Sequence, residues 1–196
     1  IMTTAGGVTF DGYVTAGALN MKSKRVVNFL GTAYTLRATD NALVLSTELG
    51  ISKNFGGDAF EITPRIAGRG TYIGFGSALE SGGPVALDLR RQEYNSWQGR
   101  AGITFGAGKA STVRPFVTGT YVHEFNDQPG SVFANLVGAP SGFAIALNGQ
   151  DKDWAEISGG LTLKAGAVDL SISADTTVAR SDLSVQTYRG SVTFRF

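Results

Sequence analysis

The last eleven residues, Gln186-Thr187-Tyr188-Arg189-Gly190-Ser191-Val192-Thr193-Phe194-Arg195-Phe196, alternate in polarity without a break. Side chains alternate across a strand with a period of two, so the apolar and polar residues of this stretch fall on opposite faces. A strand of a soluble sandwich can alternate in the same way. The fold therefore depends on whether the rest of the chain repeats the pattern.

The same alternation recurs along the whole chain, with apolar residues on one face of each segment and polar residues on the other. Each segment is close to the ~9–11 residues that a tilted strand needs to cross a bilayer. By count there are eight, at roughly 10–18, 43–52, 60–72, 97–105, 113–124, 155–163, 168–178 and 186–196. The pattern predicts an all-β fold, an antiparallel transmembrane β-barrel, as a single domain over residues 1–196.

The connections between these segments alternate in length. Short connections lie at 54–58, 106–111 and 164–167, and long ones lie at roughly 20–40, 74–95 and 126–152. Short turns at one end and long loops at the other are typical of outer-membrane barrels, whereas a soluble sandwich has no reason to sort its loops. We expect the apolar stretches in the long segments to extend the hairpins above the membrane. The parity also predicts that the C-terminus and the short turns share the periplasmic side.

The amino-acid composition restricts the classes of function and partner that we expect for this protein. Charged residues make up only 17% of the chain, against a usual ~25%, which fits a protein whose outside faces lipid. The formal net charge of +1 gives no field that would attract nucleic acid, so we expect no nucleic-acid partner. Cys is absent and there is a single His, so we expect no disulfide, no metal site and no cofactor.

Charged residues on the polar faces of the predicted strands are the candidate functional residues. Carboxylates and guanidinium groups are mixed there, which predicts a network of ion pairs that fills and stiffens a narrow, wet lumen. The predicted lumen-facing set is Asp11, Glu48, Glu61, Arg65, Arg69, Arg100, Arg114, Glu124, Glu156, Asp169, Asp175, Arg189 and Arg195.

Two further groups of side chains have predicted positions at the membrane surface. Lys22, Lys24 and Arg25 form a small basic cluster in an outer loop, which favours either a solvated charge run or contact with lipopolysaccharide phosphates. Aromatic residues near the strand ends are expected to form interfacial girdles. Those aromatic residues are Tyr72, Trp97, Tyr121 and Trp154 at the loop side, and Phe55, Phe60 and Phe105 at the turn side.

His123 is the one residue that raises the question of catalysis. An acyl hydrolase would need a Ser nucleophile and an acid beside this imidazole, and His123-Glu124-Phe125 has no neighbouring Ser. We therefore expect no enzymatic activity. A membrane-embedded hydrolase is kept as a distant alternative, as is a soluble β-sandwich.

Several motifs resemble the C-terminal translocator barrel of autotransporters, the type V secretion family. The strongest is Arg114-Pro115-Phe116 followed by Tyr121-Val122-His123-Glu124-Phe125, and the segment ending Val137-Gly138-Ala139-Pro140 resembles the loop that follows this strand. Other matches are Phe10-Asp11-Gly12-Tyr13, Glu48-Leu49-Gly50, Thr63-Pro64 and the closing Val192-Thr193-Phe194-Arg195-Phe196. The resemblance covers about Val8 to Phe196.

The chain departs from that family in two respects. Such barrels have about twelve strands, so the eight present imply that the N-terminal strands, the linker helix and the passenger precede this segment. The family's insertion signal usually has Gly five residues before the final aromatic, where this chain has Ser191 and places Gly190 one position earlier.

The resemblance implies an anchor that inserts into the outer membrane and exports or displays an N-terminal passenger. Its implied partners are outer-membrane lipid and lipopolysaccharide, the barrel assembly machinery and the protein's own passenger. The insertion signal would comprise Tyr188, Val192, Phe194 and Phe196, and some lumen residues would contact the linker or passenger. The alternative is a complete small eight-stranded outer-membrane protein that serves as a porin, adhesin or structural anchor.

Overall fold

The regular structure is entirely β in the part of the chain that the computed structural model describes, residues 1–108, 110–126, 130–146 and 151–194. These residues include no helix long and apolar enough to cross a membrane. The long strands are β2 (Val8–Phe29), β3 (Thr32–Lys53), β5 (Phe60–Phe75), β8 (Gln92–Ala107), β9 (Val113–Glu124), β12 (Asp153–Ala165), β13 (Val168–Val178) and β14 (Gln186–Phe194). The short strands are β1 (Met2–Ala5), β4 (Phe55–Gly56), β6 (Ala78–Leu79), β7 (Leu87–Leu89), β10 (Ser131–Leu136) and β11 (Gly142–Ala146).

The long strands form one antiparallel meander in the order β1-β2-β3-β5-β8-β9-β12-β13-β14, with β4 paired to β5. The sheet curls into a half-barrel with a concave and a convex face. Among the described residues, the end strands β1 and β14 do not pair with each other, so the sheet is open. The antiparallel all-β fold predicted from the alternation is confirmed, and the described residues of each predicted segment lie on one long strand.

The convex face carries an exposed apolar band that crosses the long strands of the meander. Val14, Leu49, Ile66, Ile172 and Tyr188 are between 62% and 76% exposed, although each is apolar or aromatic. In water such a continuous apolar face would be unstable, whereas lipid solvates it without cost. The low content of charged residues follows from this face, because about half of each strand carries no polar group.

Tight turns join neighbouring strands at one end of the main sheet. Gly6 and Gly7 connect β1 to β2 with φ angles of 58° and 76°, and Gly166 has a φ of 61° between β12 and β13. Backbones with positive φ favour glycine, and such turns match the twist of a hairpin. The predicted turns at 54–58 and 164–167 lie at this end, as does the connection at 106–111, of which residue 109 falls outside the description.

The segment at 20–40 is not a loop, contrary to our prediction. Strands β2 and β3 each continue for 22 residues and pair along their whole length, from Val8–Lys53 to Phe29–Thr32. The strands continue through this stretch, but polar residues occur on both of their faces. The sequence here therefore lacks the apolar and polar alternation of the predicted strands and resembles a loop. The two strands form one long β-hairpin that continues beyond the predicted segments 10–18 and 43–52.

Described residues of the other long connections form a second sheet, which we call the loop sheet, with strand order β11-β10-β7-β6. It joins the main sheet where Arg37 and Ser81 exchange two backbone hydrogen bonds of 3.0 Å. A small apolar core lies between the two sheets. Its members are Leu36, Ala38, Ala78, Ala86 and Ala134, all less than 9% exposed.

An ion pair fastens the loop sheet to the long hairpin. Arg25 Nη2 lies 2.5 Å from Glu80 Oε2, and Arg25 Nε donates to Glu80 Oε1 at 3.1 Å. Glu80 Oε2 also accepts a hydrogen bond from the Leu87 backbone N–H at 2.9 Å. The hydrogen bonds from Arg25 lower the pKa of Glu80, and burial opposes them. Arg25 therefore faces inward and does not belong to an exposed basic cluster with Lys22 and Lys24.

Candidate functional site: the charged concave face

Glu48 is the centre of the charge network on the concave face. Its side chain is 4% exposed, and its carboxylate lies 2.8 Å from Arg65, 2.7 Å from Arg69 and 3.6 Å from Arg100. The Tyr13 hydroxyl donates a further hydrogen bond at 3.2 Å. Three guanidinium groups around one carboxylate leave a local excess of positive charge, which the neighbouring carboxylates balance.

Two further carboxylates complete this balance on either side of Glu48. Arg65 Nε donates to Asp11 Oδ1 at 3.2 Å, and Arg65 and Asp11 also form an ion pair through Nη2. On the other side, Arg100 binds Glu156 through both of its terminal nitrogens. The continuous chain Asp11–Arg65–Glu48–Arg100–Glu156 thus links β2, β3, β5, β8 and β12, and we call it the charge belt.

The lack of a side chain at Gly50 leaves room for Arg65 in the charge belt. The Arg65 guanidinium lies against the Gly50 backbone, where a Cβ atom would collide with its terminal nitrogen. A larger residue at position 50 would displace Arg65 from Asp11 and Glu48. The Glu48-Leu49-Gly50 stretch therefore supplies both the central carboxylate and the space for its partner.

Glu124 lies on the same face but is held by hydrogen bonds. It is 2% exposed and accepts from the Trp97 backbone N–H at 2.8 Å, from the Asn126 backbone N–H at 3.1 Å and from the Ser96 hydroxyl. Charge-assisted bonds to backbone N–H groups stabilise a buried carboxylate without a cation. Glu124 therefore fixes the start of the connection after β9 and contributes little to a pathway along the face.

A separate ion pair lies near the turn end of the sheet. Arg114 Nη2 is 2.9 Å from Glu61 Oε2, which also accepts a hydrogen bond from Asn54 at 3.1 Å. The inward ring of Phe116 packs beside Gly160, where a Cβ would approach the ring to 2.7 Å. The Arg-Pro-Phe motif thus places both its Arg and its Phe on the concave face.

The last two strands carry a looser set of charges. Arg189 Nη1 lies 3.3 Å from Asp175 Oδ2, which is close enough for an ion pair. The geometry of this contact does not meet that of a hydrogen bond. The Arg189 side chain is 67% exposed, so solvent screens this pair. Asp169 lies on the same face opposite Lys164 in the register of β12 and β13.

The connection between β13 and β14 folds inward over the concave face. The Arg180 guanidinium lies 4.2 Å from the centroid of the Trp154 ring and donates to Asp182 at 2.8 Å and 3.0 Å. The Ser181 hydroxyl donates to Asp151 at 2.8 Å, which ties this connection to the residues before β12. We call residues 179–185 the β13–β14 latch.

A polar cavity of about 410 Å³ lies beneath the β13–β14 latch. Guanidinium groups from β5, β8, β14 and the latch converge on it together with two carboxylates. Its charged lining consists of Arg69, Arg100, Arg180, Arg189, Glu156 and Asp175. The arrangement can hold water and polar or charged segments of a polypeptide.

The predicted lumen residues of the described part all lie on the concave face, although they form several groups. The charge belt unites Asp11, Glu48, Arg65, Arg100 and Glu156, with Arg69 attached to Glu48. The pairs Arg114–Glu61 and Arg189–Asp175 stand apart from it, as do Glu124 and Asp169. Arg195 and Phe196 lie outside the described residues.

Residues of the predicted insertion signal lie on the opposite, convex face. Tyr188, Val192 and Phe194 are 76%, 56% and 63% exposed there. The predicted girdle residues Trp97, Tyr121, Phe55, Phe60 and Phe105 are also exposed by at least 47%.

Trp154 corrects the girdle prediction. It is 4% exposed and points to the concave face, beneath Arg180. Trp154 and Glu156 are two positions apart on β12, so the alternation of side chains places both on the same, concave face. The prediction was wrong because it relied on the position of Trp154 near a strand end. The sequence reasoning also missed Tyr13 and Phe116, which the same parity rule would have found. Arg180 carries no such signal because it lies in a connection.

His123 lies on the convex face with its Nδ1 2.7 Å from Asp153 Oδ1. Tyr121 donates to the same carboxylate, and the Phe125 ring packs edge-on at 4.8 Å from the imidazole. No Ser side chain has a hydrogen bond to His123 among the residues that the structure describes. The described residues also contain no cluster of three groups able to hold a metal ion.

Comparison with protein families agrees with this architecture, whereas no curated protein matches the chain. A family model described as the autotransporter beta-domain matches residues 2–177, which is most of the chain. With its antiparallel curled sheet, apolar convex face and charged concave face, the chain belongs to the autotransporter β-domain family of bacterial outer-membrane translocators.

Proposed function

We propose that this chain forms the wall of a barrel that exports or displays an N-terminal passenger across the outer membrane. The observation that carries the proposal is the separation of surfaces: the convex face is apolar over eight long strands, and the concave face carries a nearly balanced set of charges. Such a wall can face lipid on one side and a hydrated polypeptide on the other.

The concave residues would contact the linker or passenger during transit. The charge belt fixes its own side chains in pairs, so a passing chain would meet a polar surface without a single strong binding site. Arg189 is the most exposed of these guanidinium groups and the least constrained by a partner. We therefore propose that contacts with the passenger centre on the cavity beneath the β13–β14 latch.

We also propose that further strands of the same protein close the sheet. An open strand edge leaves backbone N–H and C=O groups without partners, which costs several kcal/mol per group in hydrocarbon. The alternative, a complete eight-stranded barrel, requires β14 to pair directly with the β1–β2 edge. The open arrangement of the described strands favours the larger barrel.

The final strand would carry the insertion signal. Tyr188, Val192 and Phe194 present an aromatic and apolar row to the convex side, and Phe196 continues the row in sequence. We propose that the barrel assembly machinery recognises this row, that the C-terminus lies on the periplasmic side, and that lipopolysaccharide surrounds the opposite end.

Single cysteines test the orientation, because residues 1–196 contain none and any upstream Cys can be replaced by Ser. Ser141→Cys lies between β10 and β11, and Ala167→Cys lies in the turn between β12 and β13. A membrane-impermeant maleimide should label the first in intact cells and the second only after the outer membrane is permeabilised. The opposite pattern would reverse the proposed orientation, and labelling of both in intact cells would refute membrane insertion.

Display is tested in the full-length protein with an epitope tag placed far upstream of Ile1. Antibody should bind the tag on intact cells, and deletion of β14 should abolish binding because the barrel cannot assemble. A tag that is reached only after permeabilisation, while Ser141→Cys is still labelled from outside, would show an inserted barrel that does not export its N-terminal segment.

A further inference from the structure

Three cations lie together on the outward face of the long hairpin, beyond the apolar convex band. In the pairing of β2 and β3, Lys24 lies opposite Arg37 and Lys22 lies opposite Thr39. All three cationic side chains are exposed. The sequence alone grouped Lys22 and Lys24 with Arg25, but Arg25 faces inward to Glu80 and Arg37 takes its place. We call Lys22, Lys24 and Arg37 the basic triad.

Within β2 and β3, the face that carries the basic triad has no counter-charge. Within the described part of the chain, none of the three side chains forms an ion pair or a hydrogen bond. From Asn20 and Asn41 to the tip of the hairpin, this face consists of Asn20, Lys22, Lys24, Val26 and Asn28 on β2 and Ala33, Thr35, Arg37, Thr39 and Asn41 on β3. Like charges directly opposite each other destabilise a strand pair. A ligand with negative charge would relieve this repulsion.

The height of the basic triad fits the headgroup layer. Leu43 and Leu45, which are 56% and 46% exposed, mark the upper part of the apolar band on the same face. Thr39 and Arg37 follow four and six positions beyond Leu43. At about 3.3 Å per residue and a tilt of about 45°, they lie roughly 9 Å and 14 Å above it. Long Lys and Arg side chains can bend back toward the membrane surface from there.

We propose that the basic triad binds the phosphate groups of lipopolysaccharide in the outer leaflet. The inference rests on the proposed function for its orientation, since it requires the long hairpin to extend on the cell-surface side. The Arg37 guanidinium suits bidentate contact with a phosphate, and the two Lys ammonium groups add point charges beside it. Each cation near an anionic membrane surface raises affinity by about fivefold.

The test measures lipopolysaccharide retained by the full-length protein after extraction from outer membranes in mild detergent. The variant K22Q/K24Q/R37Q should retain at least about tenfold less lipopolysaccharide per protein than the wild type. The control is Lys53→Gln, which removes a cation from the same face of β3 at the turn end, where Lys53 lies 5.1 Å from the Phe55 ring centroid. It should leave retention unchanged, and a heat-dependent shift in gel mobility should verify that each variant is folded.

Rebinding experiments identify the source of the phosphate. Purified protein should bind vesicles that contain lipopolysaccharide and bind less to vesicles with dephosphorylated lipopolysaccharide or with phosphatidylglycerol. Equal retention by the wild type and the triple variant would refute the site, and equal binding to phosphatidylglycerol would refute its specificity. Display of the upstream tag in the same cells separates the two proposals: unchanged retention with intact display refutes only the basic triad, whereas lost display in the wild type refutes the export function.

Discussion

At the residue scale, Glu48 shows how one carboxylate organises a membrane-embedded wall. It is almost fully buried, yet Arg65 and Arg69 beside it keep about 30% of their side chains exposed. Removal of one partner from a buried ion pair costs more than the pair itself contributes, because the remaining charge loses its compensation. Water that reaches the two exposed guanidinium groups reduces this cost.

Glu48→Gln should lower the free energy of unfolding by about 1–3 kcal/mol. The amide keeps the shape of the side chain but leaves three guanidinium groups without their central negative charge. Urea titration of the protein in lipid vesicles, followed by the heat-dependent gel shift, measures the change.

Two control variants show whether the loss of stability is specific to Glu48. Arg189→Gln breaks an exposed pair on the same face and should change the free energy by less than about 0.5 kcal/mol. Glu93→Gln removes an exposed carboxylate from β8 outside the charge belt and should be neutral. A loss for Glu48→Gln no larger than for these two would contradict its central role.

Side-chain parity predicted the positions of single residues well where strands are regular. Every predicted lumen residue within the described strands lies on the concave face, because a strand permits only two directions for a side chain. Their partners could not be predicted, since Arg100 and Glu156 are 56 positions apart and meet only through the register of β8, β9 and β12. Trp154 was misplaced because its position near a strand end was given more weight than its parity.

At the element scale, the β13–β14 latch restricts the concave face from above. Its attachment combines the Arg180–Trp154 contact and the bonds from Ser181 to Asp151, while the Arg180–Asp182 pair lies within the latch and orients Arg180. Ala179 adopts a φ of 56°, which a residue with a Cβ rarely adopts without support from its surroundings. The latch is therefore held in a specific conformation by contacts on both sides.

Arg180→Ala should release the latch from Trp154. The contact contributes about 0.5–2 kcal/mol, so its loss should expose the indole more than it destabilises the barrel. In the full-length protein with Trp97 and any upstream tryptophan replaced by Phe, Trp154 is the remaining emitter, since residues 1–196 contain two tryptophans. Its emission should shift to longer wavelength and acrylamide should quench it more strongly. Arg189→Ala is the control, and an identical response in both variants would contradict the latch.

The attachment of the loop sheet should depend on pH through Glu80. The pKa of Glu80 is lowered in the folded state from its ordinary value of 4.5 by the hydrogen bonds from Arg25. The folded form therefore binds fewer protons, so the pair stabilises the attachment fully above about pH 4.5 and loses this effect as the pH falls through the lowered value.

Hydrogen exchange of residues 78–89 measures this dependence. Exchange should be slow at pH 6 and should accelerate, after correction for intrinsic rates, below about pH 4. Glu80→Gln should exchange faster at pH 6 and show little further change on acidification. A wild-type protein whose protection is the same at both pH values would contradict the assignment.

Elements were predictable where one face is apolar and the other polar. The long strands satisfy this condition over their membrane-spanning parts, and the short turns carry the glycines that positive φ requires. Strands β10 and β11 lie on apolar stretches that we expected to extend the hairpins. The upper halves of β2 and β3 and the strands β6 and β7 escaped prediction as regular elements. They lie outside the apolar band, where both faces can be polar, and their strands are too short for a reliable period.

At the scale of the whole molecule, the open edges of the described sheet allow a direct test of the proposal that further strands close the barrel. Residues 1–196 expressed alone should fail to give an SDS-resistant, heat-modifiable species in vesicles, whereas the full-length protein should give one. The physical reason is the row of unpaired backbone groups along β14 and along the β1–β2 edge. A resistant species from residues 1–196 alone would favour the complete eight-stranded barrel.

The charge belt also bears on the order in which the wall can be assembled. Arg100 binds Glu156 on β12 through two nitrogens and reaches Glu48 on β3 only at 3.6 Å. A sheet that lacks β12 therefore holds a poorly neutralised guanidinium in a low-dielectric environment, where an unbalanced charge is costly. Docking of β12 removes that penalty and at the same time gives Glu156 its cation, so the electrostatics favour an assembly step in which β8, β9 and β12 enter the wall together.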